Sequence, residues 1–357
     1  MQGVYLTGHG GFDKLQPRDD IPVPQPEADE VLIRVGAAGM NNTDINTRTA
    51  WYSKSVTSGT GSGGEQGFSG ADDDDGGWAG SALNFPLIQG ADCCGTIVAV
   101  GADVAPERIG QRVLVRTMQA APDGDQTFEC LTQGSERNGA FAQYMAAVSH
   151  HALAIDCDWS DVELASIPCA YSTAEGMLQR ANIGAETVLV TGASGGVGSA
   201  AVQLLKRRGA TVIAQCAAAK AADVLALGAD QTIDRDADMI AELGNESVDV
   251  VVDLVAGPVW PDLLEVLRRG GRYVTSGAIA GPIVELDVRT LYLKDLTLFG
   301  STYQPDNIFA DLVSYIERGE IKPLVAKQYP LFDIVEAQQD FLAKKFTGKL
   351  VLVPPGS

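Results

Sequence analysis

Two patterns of apolar and polar positions divide the chain. Up to about residue 157, short apolar runs such as residues 30–35, 95–100 and 112–116 are separated by glycine, proline and aspartate. This spacing predicts a unit of short strands and turns. From residue 158 onward, β-branched apolar runs alternate with segments of helical periodicity. That alternation indicates β-α-β units around a parallel sheet.

Six strands are predicted in the second pattern. They cover residues 187–190, 211–214, 231–233, 248–252, 272–275 and 296–299. Six strands that alternate with helices fit a doubly wound sheet. A helix at 307–318 and a strand at 349–353 follow. We therefore predict an α/β protein with a β-rich unit at 1–157 and 303–357 and a parallel-sheet unit at 158–302.

The segment at about 53–84 interrupts the β-rich unit. It is rich in glycine, serine and aspartate and has almost no periodic apolar residues. Such a composition predicts an acidic surface insertion that is partly disordered.

Length and charge narrow the function classes. A chain of 357 residues is long enough for two domains. With 46 acidic and 26 basic residues, the formal net charge of -20 would repel nucleic acid and anionic lipid. The six cysteines include no C-x-x-C pair, and neither a signal peptide nor an 18-residue apolar run is present. We expect a cytoplasmic protein that acts on a small molecule.

A glycine-rich turn follows the strand at 187–190 and leads into a helix. Small residues allow a diphosphate to approach the backbone, and the N-terminus of a helix offers N–H groups and a positive dipole end. A tight turn without a ligand is the alternative. The candidate cofactor-binding residues here are Ala193, Ser194, Gly195, Gly196, Val197 and Gly198.

The end of the second predicted strand favours NADP(H) over NAD(H). An NAD site would place an acidic residue there for the ribose hydroxyls, whereas the chain reads from Ala214 to Lys220 without an acid. Lys220 is placed to contact a 2′-phosphate, although it could also be a solvated lysine at the start of a helix.

Several further motifs resemble those of the medium-chain dehydrogenase/reductase superfamily. They are Gly139-Ala-Phe-Ala-Gln-Tyr144, Cys169-Ala-Tyr-Ser-Thr-Ala174, Leu267-Arg-Arg-Gly-Gly-Arg272, Leu298-Phe-Gly-Ser301 and Thr347-Gly-Lys-Leu-Val351. The resemblance implies a GroES-like β-rich catalytic domain, a Rossmann domain and a homodimer. It also implies that Thr173 approaches the nicotinamide, and we add Ser276 and Gly277 as candidate cofactor-binding residues.

Within that superfamily, the residues expected to bind zinc are replaced. The zinc alcohol dehydrogenases have a cysteine where this chain has Asn41 and a histidine where it has Ala91, so that only Cys169 matches a ligand. Catalytic zinc needs three protein ligands. The structural zinc lobe would need four cysteines, and only Cys130 lies in that region. We therefore expect no zinc.

The chain is instead similar to the quinone oxidoreductase branch, through Asn41-Asn-Thr-Asp44 followed by Arg48 and Tyr52. That resemblance implies a zinc-free enzyme that uses NADPH. Without a Lewis acid, hydride transfer needs an acceptor that is already electrophilic, and a hydrogen-bond donor would stabilise the charge that develops on its oxygen. Asn41 and Tyr52 are the candidate catalytic residues. Tyr52 could also protonate the α-carbon, or only line the pocket.

The leading hypothesis is an NADPH-dependent, zinc-independent reductase of quinones or α,β-unsaturated carbonyls. An alcohol dehydrogenase with atypical ligands or no zinc is one alternative. A non-catalytic NADPH-binding redox sensor or scaffold is another, since a fold does not establish a function.

Overall fold

The computed structural model describes residues 1–120, 128 and 130–356. Its strands are Gly3–Leu6 (β1), Leu15–Arg18 (β2), Glu30–Gly39 (β3), Leu87–Ile88 (β4), Cys94–Val100 (β5), Arg112–Val115 (β6), Met118–Ala120 (β7), Cys130–Thr132 (β8), Tyr144–Val148 (β9), Ala152–Ala154 (β10), Thr187–Val190 (β11), Thr211–Cys216 (β12), Gln231–Asp234 (β13), Val248–Asp253 (β14), Leu267–Thr275 (β15), Thr297–Gly300 (β16), Val325–Pro330 (β17) and Lys349–Val353 (β18). Its α-helices are Asn42–Thr49 (α1), Asp161–Leu164 (α2), Pro168–Arg180 (α3), Gly196–Arg207 (α4), Ala221–Ala226 (α5), Met239–Leu243 (α6), Trp260–Val266 (α7), Val288–Leu293 (α8), Asp306–Glu317 (α9) and Ile334–Leu342 (α10).

Six parallel strands form one sheet in the order β13-β12-β11-β14-β15-β16. The chain starts at the central strand β11, runs outward to β13 and then returns to β14, so the strand order reverses beside β11. This is the doubly wound topology, and ligands bind at such a reversal. The six predicted strands are confirmed, although β15 begins earlier than the sequence pattern indicates.

The β-rich unit is built around a seven-stranded sheet. Its order is β10-β6-β5-β3-β18-β17, and β9 also pairs with β3. Strand β18 is antiparallel to β3, with Val351 opposite Gly39. The predicted return of the tail to this unit is therefore visible in the strand pairing, and it brings the two ends of the chain together. The exact limits of the two units stay a prediction.

One apolar core crosses the junction between the units. Ala37 and Leu114 of the β-rich unit belong to the same buried cluster as Val188 and Val250 of the parallel sheet. Helix α3 packs against both α4 and α9 in this region. Because burial of shared apolar surface favours association, the junction holds the two units together.

The insertion at 53–84 is packed against the rest of the molecule at several positions, and its partial disorder stays a prediction. Ser53, Val56 and Thr60 are buried, and residues Thr60–Gly63 form a 3₁₀ turn. The fully buried Arg48 donates to the carbonyl oxygen of Gly64. Composition alone missed this packing because small polar residues can bury their backbone against a partner without an apolar pattern of their own.

Within the described residues, the cysteines at 93 and 94 are buried and free, and Cys94 begins β5. No helix in the part of the chain that the structure describes is long and apolar enough to cross a membrane.

Candidate active site

The candidate site lies at the carboxyl edge of the parallel sheet, where three loops meet. The glycine-rich turn follows β11, the segment from Leu254 follows β14, and the loop at 276–281 follows β15. A Cβ atom added to Gly192 would lie 3.3 Å from Val255 Cγ2, and one added to Gly277 would lie 3.1 Å from the Leu254 carbonyl oxygen. This edge is where doubly wound sheets bind their ligands.

The turn that begins α4 fits a diphosphate. Gly195 precedes the helix in an extended conformation, and no side chain caps the first N–H groups. A Cβ on Gly198 would lie 2.3 Å from the Gly192 carbonyl oxygen, so the turn is too tight for a side chain. The six residues predicted here, from Ala193 to Gly198, therefore lie where uncapped N–H groups and a helix dipole can hold an anion.

A positively charged cavity of about 600 Å³ lies beside the predicted Lys220. Its lining includes four basic residues, Lys220, Arg235, Lys344 and Lys345, and one acidic residue, Asp223. Burial and then the charge of Arg235 lower the pKa of Lys220. Positive charges that repel one another in this way favour the binding of an anion.

Sequence reasoning found Lys220 but missed the three other cations of this cavity. Arg235 directly follows β13, and the Lys344-Lys345 pair lies after α10, more than a hundred residues from Lys220 along the chain. The Lys220 Nζ atom donates to the Phe346 carbonyl oxygen at 2.6 Å, which holds the two distant segments together. The lysine pair was a visible signal, but only the fold places it beside β12.

The remaining predicted cofactor residues lie at the same edge. Thr173 is in α3, where its hydroxyl oxygen accepts a hydrogen bond from Gln304 Nε2 at 3.4 Å. Ser276 and Gly277 begin the loop after β15, and the Gly277 carbonyl oxygen accepts from the Thr275 hydroxyl at 3.0 Å. The positions of all three are compatible with a cofactor that lies along the strand ends, and the assignment stays a prediction.

Asn41 precedes α1 and is held by protein groups on every side. Its Nδ2 atom donates to Asp92 Oδ2 at 2.9 Å and to the Gly39 carbonyl oxygen at 3.4 Å. Its Oδ1 atom accepts from Lys349 Nζ at 2.5 Å. Because both donated hydrogen bonds go to protein acceptors, this geometry does not favour the predicted role of Asn41 as donor to a substrate oxygen.

Asp92 and Lys349 form a buried ion pair, with 0% and 4% of their side chains exposed and 2.8 Å between Oδ2 and Nζ. Asp92 Oδ1 also accepts from the Cys169 backbone N–H at 2.6 Å. The Lys349 side chain passes along the glycine-rich turn, since a Cβ on Gly196 would lie 2.9 Å from Lys349 Cδ. We call Asn41, Asp92 and Lys349 the buried network.

Sequence reasoning missed Asp92 and Lys349 as site residues. Ala91 in the stretch around Asp92 indicates only a missing histidine, whereas a carboxylate in an apolar run is itself a signal of a buried partner. Lys349 stands inside a family motif, but it is 257 residues from Asp92. Only the pairing of β18 with β3 brings the two together.

The residues at the metal position, Asn41, Ala91 and Cys169, do not fit zinc. The Asn41 amide is engaged by the buried network, and Ala91 offers only a methyl group. Cys169 alone of the three has a side chain of the kind that binds zinc, whereas catalytic zinc needs three protein ligands. Among the described residues, no group of three His, Cys, Asp or Glu side chains could hold a metal ion.

Tyr52 and Thr43 form a pair of hydroxyl groups beside the buried network. The Tyr52 hydroxyl donates to Thr43 Oγ1 at 3.1 Å, which leaves the Thr43 proton for another acceptor. Desolvation by burial raises the pKa of Tyr52, and the nearby Cys169 and Asp44 side chains raise it further. A raised pKa keeps the hydroxyl protonated and makes it a hydrogen-bond donor rather than an acid. Sequence reasoning quoted Thr43 within a motif but gave it no role.

Comparison with known protein families agrees with this architecture. Residues 27–156 match the alcohol dehydrogenase GroES-like domain, and residues 196–318 match the zinc-binding dehydrogenase family. The chain belongs to the medium-chain dehydrogenase/reductase superfamily. Its fold is the α/β combination of a GroES-like domain and a Rossmann domain that the sequence predicts.

The relatives of this superfamily member are oxidoreductases. The chain is 28% identical to a quinone oxidoreductase of Lama guanicoe, over 99% of this chain and 97% of that protein. It is also 28% identical to an NADPH-dependent alkenal/one oxidoreductase of Arabidopsis thaliana, over 99% and 80% of the two chains. A solved structure from Sinorhizobium meliloti 1021, provisionally named an alcohol dehydrogenase, is 46% identical with a TM-score of 0.88, over 99% and 96% of the two chains.

These comparisons support an enzyme of the medium-chain dehydrogenase/reductase superfamily that resembles the quinone oxidoreductases. They argue against the hypothesis of a non-catalytic binding protein. The names of the relatives divide between reductases and an alcohol dehydrogenase, so the reaction has to be argued from the site.

Proposed function

We propose that this protein is an NADPH-dependent, zinc-independent reductase of quinones or of the activated C=C bond of α,β-unsaturated carbonyls. The observation that carries the proposal is the buried network. Lys349 and Asp92 neutralise each other where zinc enzymes have their metal. The Asn41 side-chain amide forms hydrogen bonds with both. Such a site offers no Lewis acid for activating an alcohol.

The chemistry follows from what the residues can supply. NADPH, when bound, supplies the hydride. An α,β-unsaturated carbonyl or a quinone is electrophilic by itself, and negative charge develops on its oxygen as hydride adds. Thr43 donates a hydrogen bond to that oxygen, and the Tyr52 hydroxyl orients Thr43. The proton that completes reduction of an alkene comes from solvent, directly or through the Tyr52 hydroxyl.

The charged cavity supports NADPH as the reductant. NADPH differs from NADH by a 2′-phosphate, and Lys220, Arg235, Lys344 and Lys345 surround the cavity at the end of β12. Phosphate is the group that neutralises such a cluster through charge-assisted hydrogen bonds.

Turnover measurements with the purified protein test this proposal. We expect NADPH consumption with enones, enals and quinones, undiminished by a zinc chelator. Oxidation of simple alcohols alone, loss of activity on chelation, or a preference for NADH would contradict it. The name of the Sinorhizobium protein favours an alcohol dehydrogenase as the second candidate, and metal analysis together with an alcohol panel distinguishes the two.

We also propose that the protein forms a homodimer through the edge of the parallel sheet. Strand β16 is at that edge, and exposed apolar side chains surround it: Ile283, Leu286, Val288, Tyr292, Leu293 and Leu298. A second copy can pair with an exposed strand edge and cover an apolar patch of this kind. Sedimentation of the wild type and of Leu293→Asp tests this. A monomeric wild type would contradict it.

A further inference from the structure

The insertion contacts the cofactor edge of the parallel-sheet unit at one place. The Thr60 backbone N–H donates to the Ile279 carbonyl oxygen at 3.0 Å. A Cβ on Gly59 would lie 2.6 Å from that same oxygen and 3.1 Å from the carbonyl carbon of Ala280. The two backbones therefore touch directly, with no room for a side chain between them.

In the β-rich unit, residues 57–60 are held in place beside the hydroxyl pair of Tyr52 and Thr43. Trp51 Nε1 donates to the Ser58 carbonyl oxygen at 2.9 Å. The indole ring also makes an edge contact with the Tyr52 ring, with 5.8 Å between the ring centroids. The position of residues 57–60 is thus coupled to the wall of the site that holds Tyr52.

On the other side, the contact is fastened to the strand ends. The Ala280 N–H donates to the Val255 carbonyl oxygen at 2.9 Å, and Ala256 forms a β-bridge with Gly281. The loop at 276–281 is therefore held between the segment after β14 and the insertion. Because this loop begins with the predicted cofactor residues Ser276 and Gly277, residues 57–60 join the hydroxyl pair to the cofactor edge.

We propose that residues 57–60 are a latch that closes this side of the candidate active site and limits the size of the substrate. The proposal rests on the proposed function and adds a substrate class, which is compact quinones and enones. A long substituent extending toward the insertion would collide with Gly59 and the Ile279–Ala280 peptide. It could be accommodated only after the Thr60 hydrogen bond opens.

The energetics suit a latch that opens and closes. A single backbone hydrogen bond makes a modest net contribution, so that its loss is easily regained after each opening. Closure of loops over a reacting centre excludes water and commonly occurs once per turnover. The latch also limits the size of a bound substrate, because the two facing backbones leave no space between them for a substituent.

A pair of substitutions at Thr60 isolates the hydrogen bond. Thr60→Pro removes the donating N–H, and proline suits the first residue of a 3₁₀ turn. The preceding Gly59 has φ of -66° and ψ of 158°, a conformation that is favoured before proline. Thr60→Ala loses the same buried hydroxyl but keeps the N–H, so it is the matched control.

Two measurements compare these variants. The first is the ratio of kcat/KM for 1-octen-3-one to that for 3-buten-2-one, which we expect to rise about fivefold in Thr60→Pro relative to Thr60→Ala, the factor that corresponds to one hydrogen bond. The second is amide hydrogen exchange of residues 276–281, which we expect to be faster in Thr60→Pro than in Thr60→Ala.

Equal substrate ratios in two variants that differ in exchange would overturn the size limit. Equal exchange would overturn the latch itself. If the wild type reduces no acceptor, the proposed function fails, while hydrogen exchange still decides whether the latch exists. If Thr60→Pro melts at a much lower temperature than Thr60→Ala, Trp51→Phe is used instead, because it removes the hydrogen bond to the Ser58 carbonyl oxygen. The same two measurements then compare Trp51→Phe with the wild type.

Discussion

The metal position and the charged cavity are both ionic sites, but their charges are arranged in opposite ways. At the metal position, Lys349 and Asp92 are buried in contact with each other, and Asn41 bridges them. In the cavity, four cations surround a single carboxylate, that of Asp223. The first arrangement is satisfied by the protein, whereas in the second the cations outnumber the carboxylates even when the ion pair of Arg235 with Asp236 is counted.

This difference shows how one scaffold can hold a neutral charge pair at one position and an excess of cations at another. A buried site can replace a metal ion only when new partners satisfy every polar group that remains, since unpaired buried charge is costly. A phosphate site must do the reverse and keep its cations unneutralised. The metal position and the charged cavity should therefore respond differently when one charged side chain is removed.

The largest effect should come from breaking the buried pair. Asp92→Asn and Lys349→Met each leave one charge buried without its partner, and we expect each to lower the free energy of unfolding by about 3 to 5 kcal/mol. Urea denaturation measures this. Arg289→Met, which removes an exposed pair with Asp287, is the control and should have little effect.

The double variant sharpens that result. Because Asp92→Asn and Lys349→Met remove the same interaction, their combined cost should be well below the sum of the single costs. Additive costs, or a single variant no less stable than Arg289→Met, would show that the buried network is not a coupled unit.

The next effect should fall on catalysis rather than on stability. If Asn41 is taken up by the buried network, Thr43 is the donor to the substrate oxygen, and Thr43→Val should reduce kcat by about 10² to 10³, as loss of an oxyanion donor does. Thr43→Ser keeps the hydroxyl and should retain most activity. Steady-state kinetics with one enone decides between the two, and an active Thr43→Val would refute the assignment.

Removing a charge from the cavity should weaken the binding of one cofactor only. Lys220→Gln should raise the NADPH dissociation constant by about 10-fold to 100-fold, the range for a hydrogen bond to a charged group, and leave NADH unchanged. Nucleotide fluorescence titration measures both constants. Lys206→Gln, whose lysine pairs with Asp230 on the same unit, serves as the control. Equal loss of NADH affinity would contradict a 2′-phosphate site.

The last test is a pH dependence at the edge of the buried network. Burial raises the pKa of Asp44 to about 7. Between the ordinary pKa of an aspartate and pH 7, this carboxyl is therefore protonated in the native state and ionised in the unfolded state. Stability should therefore fall as pH rises from 4 to 7, by at most about 1.4 kcal/mol per pH unit. Asp44→Asn keeps an oxygen for the Asn41 N–H and should flatten the profile between these limits. Parallel profiles for the two proteins would contradict the shift.

Local pattern was enough to predict the fold and the glycine-rich turn. Alternating strands and helices specify a doubly wound sheet because each element buries one face at its own period, and that period is visible in the residues themselves. The turn from Gly192 to Gly198 is equally local at its tightest point, since a Cβ on Gly198 would lie 2.3 Å from the Gly192 carbonyl oxygen.

The tertiary structure decided which distant residues meet. Lys349 reaches Asp92 only because β18 lies beside β3, and Lys344 reaches the end of β12 only because the tail returns to the first sheet. The packing of residues 57–60 against Ile279 likewise has no counterpart in composition. Sequence by itself determined the elements and the absence of zinc-ligand residues at positions 41 and 91. Contacts between residues hundreds of positions apart determined which side chains occupy the metal position. The energy of such a pair depends on its distance in space, so no periodic pattern along the chain indicates it.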